Sequence, residues 1–267
     1  MTIIQLNITK PIIIIDQSYY IFNRFYATLS WFKKRNYNEI PDENNDEFII
    51  AFFKHFENDM NKLMKKYKTT KTNIIFCIDC SRSNIWRNKI YEEYKTTRIK
   101  KTDFDSGIFI LFKNYIINNN YYYCECDNLE GDDIVYLVQK RIKNEFSGYK
   151  IIILTNDNDY LQMYDNNVSI INMQLKDLSL RIKNSPKIEL EYKIIYGDKS
   201  DNIPKIQKGL QKEMALKIAV MTKEDRDKYL NDNNLMTNYM INKKLVDLSE
   251  IPENLINNFN NKYIIKK

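Results

Sequence analysis

Histidine is nearly absent from this 267-residue sequence, cysteine is rare, and no long apolar run occurs. The one histidine, His55, lies among phenylalanines on a predicted helix, which argues against histidine-based acid–base catalysis. No run has the length of a membrane-spanning helix, so we expect no membrane partner. The N-terminus carries no secretion signal, which predicts an intracellular, non-secreted protein without disulfides.

The four cysteines form two close pairs, Cys77 with Cys80 and Cys124 with Cys126. The spacing of each pair resembles half of a zinc site. Cys77 and Cys124 also fit the interiors of predicted strands, where a free cysteine packs well. We favour packing over zinc.

Basic residues outnumber acidic ones by 41 to 35, for a formal net charge of +6. Nine of the acids fall into five short clusters, so the rest of the chain is more basic than the net charge indicates. A basic surface suits the phosphate backbone of a nucleic acid.

Apolar, β-branched runs alternate with helical patterns along the first part of the chain. Strands are predicted at 12–15, 73–78, 121–124, 150–155 and 168–173, and helices at 17–33, 47–68, 105–118 and 130–145. Residues 36–46 are predicted as a loop, 178–183 as an extra strand, and the chain as helical from about 190. The alternation predicts an α/β fold with a mostly parallel sheet between two layers of helices.

Most of the nine clustered acids follow a predicted strand. Ligands of open α/β sheets bind outside the carboxyl ends of the strands, and acids gathered there repel one another unless a cation lies among them. Carboxylates are ligands that Mg²⁺ prefers, and Mn²⁺ is the alternative. The clusters are Asp16, Asp79, Glu130 with Asp132 and Asp133, Asp157 with Asp159, and Asp198 with Asp201.

Any single pair of these acids is also explained by N-capping or by a solvated turn. Five clusters that mostly lie at the ends of predicted strands favour one shared site instead. Two divalent ions about 4 Å apart can catalyse the hydrolysis of a phosphodiester, and each ion needs several carboxylate ligands.

The stretch from Ser81 to Lys101 interleaves aromatic and basic residues, which is typical of a nucleic-acid contact. A solvated basic helix is the alternative. The basic residues are Arg82, Arg87, Lys89, Lys95, Arg98, Lys100 and Lys101, and the aromatic ones are Trp86, Tyr91 and Tyr94.

Together these motifs resemble the 5′-nuclease family, which includes flap endonucleases, phage 5′→3′ exonucleases and the 5′-nuclease domains of bacterial DNA polymerases. The resemblance covers roughly residues 11–255 and keeps the order and spacing of the motifs. Its motifs are Ile-Ile-Asp16, Ile-Asp79, Leu-Glu130-Gly-Asp132-Asp133, Thr-Asn-Asp157-Asn-Asp159-Tyr-Leu-Gln and Gly197-Asp198-Lys-Ser-Asp201-Asn-Ile-Pro204.

The resemblance implies a PIN-like α/β core, a helical arch and a C-terminal lobe of the helix–hairpin–helix kind. We therefore expect a nuclease core at 1–175, with a basic arch segment at 82–118. A helical DNA-binding lobe and a tail packed on the core would follow at 176–267.

The resemblance also implies roles for individual residues. One divalent ion would be held by Asp16, Asp79, Glu130, Asp132 and Asp133, with Asp16 and Asp133 also counted as catalytic. A second ion would be held by Asp157, Asp159 and Asp201, with Asp198 nearby. The segment Tyr94-Lys95-Thr-Thr-Arg98 resembles the family's Tyr-Lys-x-x-Arg. It implies that Lys95 and Arg98 hold the scissile phosphate and that Tyr94 stacks on a base. Further DNA contacts are expected from Arg24, Arg82 and Arg87.

Gly197 to Ala219 resembles the lobe with which members grip duplex DNA through backbone amides. DNA contacts are expected here from Lys205, Lys208, Gly209 and Lys212. Members usually carry Gly-x-x-Gly-x-Gly after Ile-Pro, whereas this chain retains one of the three glycines. Close approach of an amide to a phosphate favours glycine, so the losses count against a tight grip. They also count against a K⁺ ion at residues 203–211, which the resemblance would otherwise imply.

We therefore predict a metal-dependent, structure-specific 5′-nuclease of replication and repair, a 5′→3′ exonuclease or flap endonuclease. Its expected partner is DNA with a 5′ flap or 5′ end, or an RNA/DNA hybrid. No clamp-binding peptide is recognisable, and a monomer is expected. One alternative is a non-catalytic protein that binds 5′ ends or junctions, against which the retention of all nine acids argues. The other is an endoribonuclease of related fold, against which the arch-like segment and the 197–204 motif argue.

Overall fold

A computed structural model describes residues 1–34, 45–98, 104, 106–146 and 148–267 of the protein. Most of the loop predicted at 36–46 lies outside these residues, as do Lys100 and Lys101 of the predicted arch segment.

The strands of the described chain belong to a large sheet and a small one. They are β1 (Thr2–Gln5), β2 (Ile12–Asp16), β3 (Ile74–Ile78), β4 (Tyr122–Glu125), β5 (Ile151–Leu154), β6 (Val168–Ile171) and β7 (Tyr263–Lys266). The helices are α1 (Gln17–Lys33), α2 (Asp46–Tyr67), α3 (Gly107–Asn118), α4 (Gly131–Glu145), α5 (Pro186–Tyr196), α6 (Lys212–Ala219), α7 (Lys223–Asp232), α8 (Met236–Val246) and α9 (Glu253–Lys262).

The large sheet has five parallel strands in the order β4–β3–β2–β5–β6. Its centre is β2, a run of isoleucines that is buried along its whole length. Ile14 pairs with Ile75 of β3 on one side and with Ile153 of β5 on the other. A strand that is apolar on both faces is stable only between two layers, so the predicted parallel α/β sheet is confirmed.

Helices cover both faces of this sheet. Phe52 and Phe56 of α2 and Phe112 of α3 pack on one face beside α1. Val135 and Val138 of α4 pack on the other face together with α9. A third apolar cluster lies among α5, α6, α7 and α8 and includes Ile195 and Ile218. In the described chain, no helix is both long and apolar enough to cross a membrane.

Two details differ from the sequence prediction. The predicted strand at 178–183 is wrong, because Leu178–Arg181 form a 3-10 helix whose start is capped by Asp177 on the backbone amide of Ser179. The small sheet was not predicted, and in it β1 pairs with β7 in parallel, Thr2 opposite Tyr263. The first and last segments of the chain therefore meet, which no local pattern could indicate.

Candidate active site

The predicted acids converge at the carboxyl edge of the large sheet, where the strand order reverses. The chain places β3 and β4 on one side of β2 and then β5 and β6 on the other. Asp16 ends β2, Asp79 directly follows β3, and Asp157 lies just beyond β5. A crevice forms at such a reversal point and is the usual ligand site of an open α/β sheet.

Asp16 is held rigidly at the centre of this edge. Its Oδ1 accepts the backbone N–H of Tyr19 at 3.0 Å, so the residue also caps α1. Its Oδ2 accepts the hydroxyls of Thr155 and Tyr160, both at 3.0 Å. Burial, together with the charge of Asp79, raises the pKa of Asp16 from 3.8 to about 6. The carboxylate is therefore unfavourable unless a cation accompanies it.

Asp79, which follows β3, contacts the start of α4, where Asp132 also lies. The backbone N–H of Gly131 donates to Asp79 Oδ1 at 2.6 Å, and the Ser18 hydroxyl donates to Asp79 Oδ2. A Cβ at position 131 would lie 3.1 Å from Asp79 Oδ1, which explains the glycine in the motif. Burial first, and then neighbouring acids, raise the pKa of Asp132 well above its ordinary value.

Tyr160 is a site residue that sequence reasoning missed. It is buried, and its hydroxyl donates to Asp16. Burial raises the pKa of Tyr160 well above its ordinary value, and surrounding negative charge raises it further. Those charges belong to Asp16, Asp132, Asp79 and Asp157. The charges of four carboxylates from four segments therefore act on one hydroxyl. The tyrosine stands in the quoted Asp-Asn-Asp-Tyr-Leu-Gln motif, which was the available signal.

Arg87 is buried at 1% exposure, so the prediction that it contacts DNA is wrong. Its guanidinium donates to both carboxylate oxygens of Asp133, at 2.8 and 2.9 Å, and to Glu130 Oε2 at 2.9 Å. The Trp86 indole N–H donates to Asp133 Oδ2 at 2.9 Å. Both oxygens of Asp133 are thus engaged by the protein. The geometry gives Asp133 the function of anchoring Arg87, and its predicted metal contact stays a prediction.

Glu130 is paired with a second internal cation. Lys95 Nζ donates to Glu130 Oε1 at 2.5 Å, and the Tyr94 hydroxyl donates to Oε2 at 3.1 Å. Burial opposes the charge of Glu130, but Lys95 and Arg87 outweigh it and lower the pKa of Glu130. Tyr94 is only 4% exposed, which contradicts the prediction that it stacks on a base. Lys95 faces Glu130, and its phosphate contact stays a prediction.

The second group of acids contains a lysine that sequence reasoning missed. Lys193 on α5 forms ion pairs with Asp159 and with Asp198, the latter at 2.7 Å. Burial opposes the charge of Lys193, but the two carboxylates raise its pKa. Correspondingly, burial of Asp198 is outweighed by Lys193, and the pKa of Asp198 is lowered. The sequence signal was weak, since Lys193 follows no motif and lies a helical turn before Gly197.

Asp201 completes this second group and faces the basic segment. Arg98 donates to Asp201 Oδ1 through Nε at 3.1 Å and through a second nitrogen. The Arg98 side chain is 47% exposed, whereas Lys95 and Tyr94 are buried. Arg98 is therefore the member of the Tyr-Lys-x-x-Arg motif that solvent can reach. A cavity of about 400 Å³ opens between Asp157, Asp159 and Lys193.

The other predicted DNA contacts lie in different surroundings. Arg24 pairs with Asp59 of α2 and its side chain is 15% exposed, so its DNA contact stays a prediction. Arg82 is exposed, and its guanidinium donates to the backbone carbonyl of Lys95. The predicted contacts in the lobe that lie at the surface are Lys208, Gly209 and Lys212, whereas Lys205 is half-buried.

The donor set fits a hard divalent cation. Within the described ranges, four of the nine clustered carboxylates form no ion pair with a lysine or arginine: Asp16, Asp79, Asp132 and Asp157. Two triads also have ligand atoms within 4.8 Å of one another, namely Glu130, Asp132 and Asp133, and Asp159, Asp198 and Asp201. Carboxylate oxygens in such number are the ligands of Mg²⁺ or Mn²⁺.

A parallel sheet that gathers carboxylates at its reversal point, beside a basic segment, is the arrangement of an α/β nuclease core. The chain belongs to the 5′-3′ exonuclease family, because the family model of the N-terminal resolvase-like domain matches residues 11–192. The resemblance inferred from the motifs is thereby confirmed.

Two curated relatives illustrate the range of the family. A 5′-3′ exonuclease of Buchnera aphidicola (strain Sg) is 28% identical over 209 residues, which cover 74% of this chain and 66% of the relative. Ribonuclease H of Enterobacteria phage T4 is 26% identical over 227 residues, covering 75% of this chain and 72% of the relative. The chain thus spans about two thirds of the length of the Buchnera protein.

Solved structures show the same fold. The bacteriophage T5 5′-exonuclease with bound zinc ions has a TM-score of 0.64 at 17% identity, over 95% of this chain and 98% of that one. The bacteriophage T5 flap endonuclease in a complex with DNA and metal ions has a TM-score of 0.62 at 16% identity, over 95% and 97%. At this identity the likeness establishes the fold.

Proposed function

We propose that this protein is a metal-dependent, structure-specific 5′-nuclease that hydrolyses DNA phosphodiesters as a 5′→3′ exonuclease or flap endonuclease. The observation that carries the proposal is the position of Asp16, Asp79, Asp132 and Asp157 at the carboxyl edge of the sheet, with no internal cation paired to them among the described residues. The family membership and the basic surface support the same function. Flap or RNA-primer removal in replication and repair is the proposed role.

Two divalent ions, Mg²⁺ or Mn²⁺, fit the acids. Asp16, Asp79 and Asp132 would hold the first, with Glu130 and Asp133 behind them. Asp157, Asp159 and Asp201 would hold the second, with Asp198 nearby. Bound divalent ions would lower the pKa of a water nucleophile and stabilise the leaving oxygen.

The protein's own groups orient these carboxylates. Thr155 and Tyr160 fix Asp16, and the Gly131 amide and Ser18 fix Asp79. Arg98 is the cation best placed to leave its carboxylate partner and to contact the scissile phosphate, since nearly half of its side chain is exposed. Charge-assisted contacts of this kind stabilise a phosphoryl transition state.

DNA would lie across the basic side of the site. Arg82 and the exposed lobe residues Lys208, Gly209 and Lys212 are the proposed backbone contacts. The 82–118 segment is proposed as the arch of a monomeric protein, and residues 176–267 as its helical DNA-binding lobe with a C-terminal tail packed on the core. The apolar cluster among α5–α8 supports that division, because it is distinct from the two clusters that pack on the sheet, although Ile85 and Tyr94 of the 82–118 segment join it.

The proposal is tested with a 5′-flap duplex labelled at its 5′ end, incubated with Mg²⁺, with Mn²⁺ or with EDTA. Metal-dependent cleavage near the junction is expected, and the product length separates flap release from release of mononucleotides. Asp157→Asn should bind the flap without cutting it, while Asp227→Asn on α7 should cut normally. Binding without cleavage in every metal would instead establish a protein that only recognises 5′ ends.

A second substrate class follows from the name of one relative, ribonuclease H of phage T4. We propose the RNA strand of an RNA/DNA hybrid as a further substrate of the same site. The flap assay repeated with an RNA 5′ strand tests this. Cleavage of single-stranded RNA in preference to both duplexes would favour an endoribonuclease instead.

A further inference from the structure

The loop at residues 203–211, between α5 and α6, has seven of its nine backbone carbonyls occupied by donors of the protein itself. The side-chain amide of Asn242 donates to the Pro204 carbonyl at 2.7 Å, and that of Asn238 donates to the Ile206 carbonyl at 2.9 Å. Other carbonyls are engaged by backbone or side-chain N–H groups. The accepting carbonyls are those of Ile203, Pro204, Ile206, Gln207, Gly209, Leu210 and Gln211.

One of these donors is a cation. Lys205 Nζ donates to the Leu210 carbonyl at 2.7 Å, which closes the loop across its open side. The same ammonium lies 4.2 Å from the centre of the Tyr196 ring, and that ring stacks on Tyr192 at 5.3 Å. A charge-assisted hydrogen bond and a cation–π contact therefore hold the ammonium in one place.

This arrangement does not fit K⁺. A monovalent ion in a loop needs several carbonyl oxygens turned toward a common centre, in place of its hydration shell. Here seven of the nine carbonyls already accept hydrogen bonds, and a positive charge would meet the Lys205 ammonium at the Leu210 oxygen. The sequence departs from its family at this position, because Lys205 stands where members usually have glycine.

We propose that the Lys205 ammonium is the fixed cation of this loop, so that the loop keeps its DNA-binding shape without a monovalent ion. This inference rests on the proposed function in one respect, namely that the loop contacts duplex DNA. Its consequence is that duplex affinity depends on ionic strength but not on which monovalent cation is present. The exposed Lys208, Gly209 and Lys212 would then be presented to phosphate by a loop that is already ordered.

The test compares K⁺ with tetramethylammonium, which is too large to enter a ring of carbonyls, at equal ionic strength and in EDTA. The dissociation constant of a 5′-flap duplex is measured by fluorescence anisotropy. The wild type should bind equally in both salts. Lys205→Met should bind about tenfold more weakly in tetramethylammonium, as expected for loss of one charge-assisted hydrogen bond, and K⁺ should restore part of the loss. Lys205→Arg should behave as the wild type.

Lys208→Met is the matched control, because it removes the same charge from an exposed position of the loop. It should weaken binding equally in the two salts. The inference is overturned if the wild type binds several-fold tighter in K⁺, or if Lys205→Met and Lys208→Met are indistinguishable. If the wild type binds the flap in neither salt, the proposed function fails, and thermal melting in the two salts still decides the role of Lys205. Equal melting temperatures for the two methionine variants would then overturn it.

Discussion

Ion pairing divides the nine clustered carboxylates into two sets. Four have no lysine or arginine partner in the part of the chain that the structure describes, namely Asp16, Asp79, Asp132 and Asp157. The others are paired with Arg87, Lys95, Arg98 or Lys193. A divalent ion gains most from carboxylates that nothing else neutralises. We therefore expect the unpaired set to bind metal first.

The raised pKa of Asp16 makes a prediction about stability. Its value of about 6 in the folded protein lies above the ordinary 3.8, so the folded state binds the proton more tightly than the unfolded state does. Stability should therefore fall as pH rises between these values and stay lower above them. At pH 7 in EDTA, Asp16→Asn should have a free energy of unfolding up to about 3 kcal/mol higher than the wild type, and therefore a higher melting temperature. It should also lose cleavage.

Differential scanning fluorimetry at pH 4 and pH 7 checks this prediction. The two proteins should converge at pH 4, where Asp16 is largely protonated in the fold. Mg²⁺ should raise the melting temperature of the wild type more than that of the variant. A variant that is less stable than the wild type at both pH values would show that burial of Asp16 is not the cause.

Lys193 allows a second prediction at this scale. Its ammonium occupies the space between Asp159 and Asp198, so a second divalent ion must displace it. Lys193→Met should bind the second Mn²⁺ more tightly, by about tenfold or more, because one opposing charge is removed from the site. Electron paramagnetic resonance of free Mn²⁺ during a titration counts the ions and gives both affinities.

Lys187→Met on the same helix is the control, since Lys187 is exposed and carries the same charge. It should leave both Mn²⁺ affinities unchanged. An equal affinity for the second ion in the wild type and in Lys193→Met would contradict the prediction.

At the scale of elements, the start of α4 joins the basic segment to the acids. Glu130 and Asp133 form a capping box there, with the Glu130 backbone N–H donating to Asp133 at 3.1 Å. Arg87 closes this box from the 3-10 helix Trp86–Lys89 and also donates to the Leu245 carbonyl at the end of α8. One buried guanidinium thus links three elements.

Arg87→Met should destabilise the protein by about 3–5 kcal/mol at pH 7, because it leaves the buried Asp133 without its cation and removes one of the two cations paired with Glu130. The pKa of Glu130 is lowered by Lys95 and Arg87, so that pairing contributes fully above its ordinary value of 4.5 and is lost as pH falls. The deficit of the variant should accordingly shrink in acid. Urea denaturation at pH 7 and pH 4 measures it.

Arg82→Met is the control that shows whether the loss of stability in Arg87→Met depends on the burial of Arg87. Arg82 is exposed, so its replacement should change stability by less than about 0.5 kcal/mol at either pH. An Arg87→Met deficit that is the same at both pH values would assign the loss to packing instead of charge.

For the whole molecule, the parallel pair of β1 and β7 brings the two ends of the described chain onto the nuclease core. Ile4 and Ile265 are buried with the apolar residues of α4 and α9. The Arg141 guanidinium of α4 donates to the Tyr263 carbonyl at 2.6 Å, and the Tyr263 hydroxyl donates to the Glu125 carbonyl at 3.0 Å. The last residues are therefore part of the fold that supports the active site.

Ile265→Ala should lower the free energy of unfolding by about 2–5 kcal/mol, as expected for a fully buried isoleucine. Ile264→Ala, at the neighbouring half-exposed position, should cost much less. Urea denaturation of the two variants makes the comparison. Similar losses in both would mean that β7 does not pack on the core as the structure shows.

The strands and helices of the first 175 residues, and the positions of the acids at strand ends, were predictable because hydrophobic period and strand termination are local properties of the sequence. The short apolar runs of β2, β3 and β5, which are rich in isoleucine, are typical of a parallel sheet that is buried on both faces. In such a sheet, the acids that follow the strands lie at one edge. The sequence by itself therefore determined the α/β class and the existence of an acidic site.

Only the tertiary structure decided which charges meet. Arg87 and Tyr94 were predicted to contact DNA, yet both are buried against Glu130 on a distant segment. Lys193 and the β1–β7 pair were invisible to local reasoning for the same reason. Partners separated by more than a hundred residues, such as Arg98 and Asp201, are selected by packing and burial, and a local pattern contains neither.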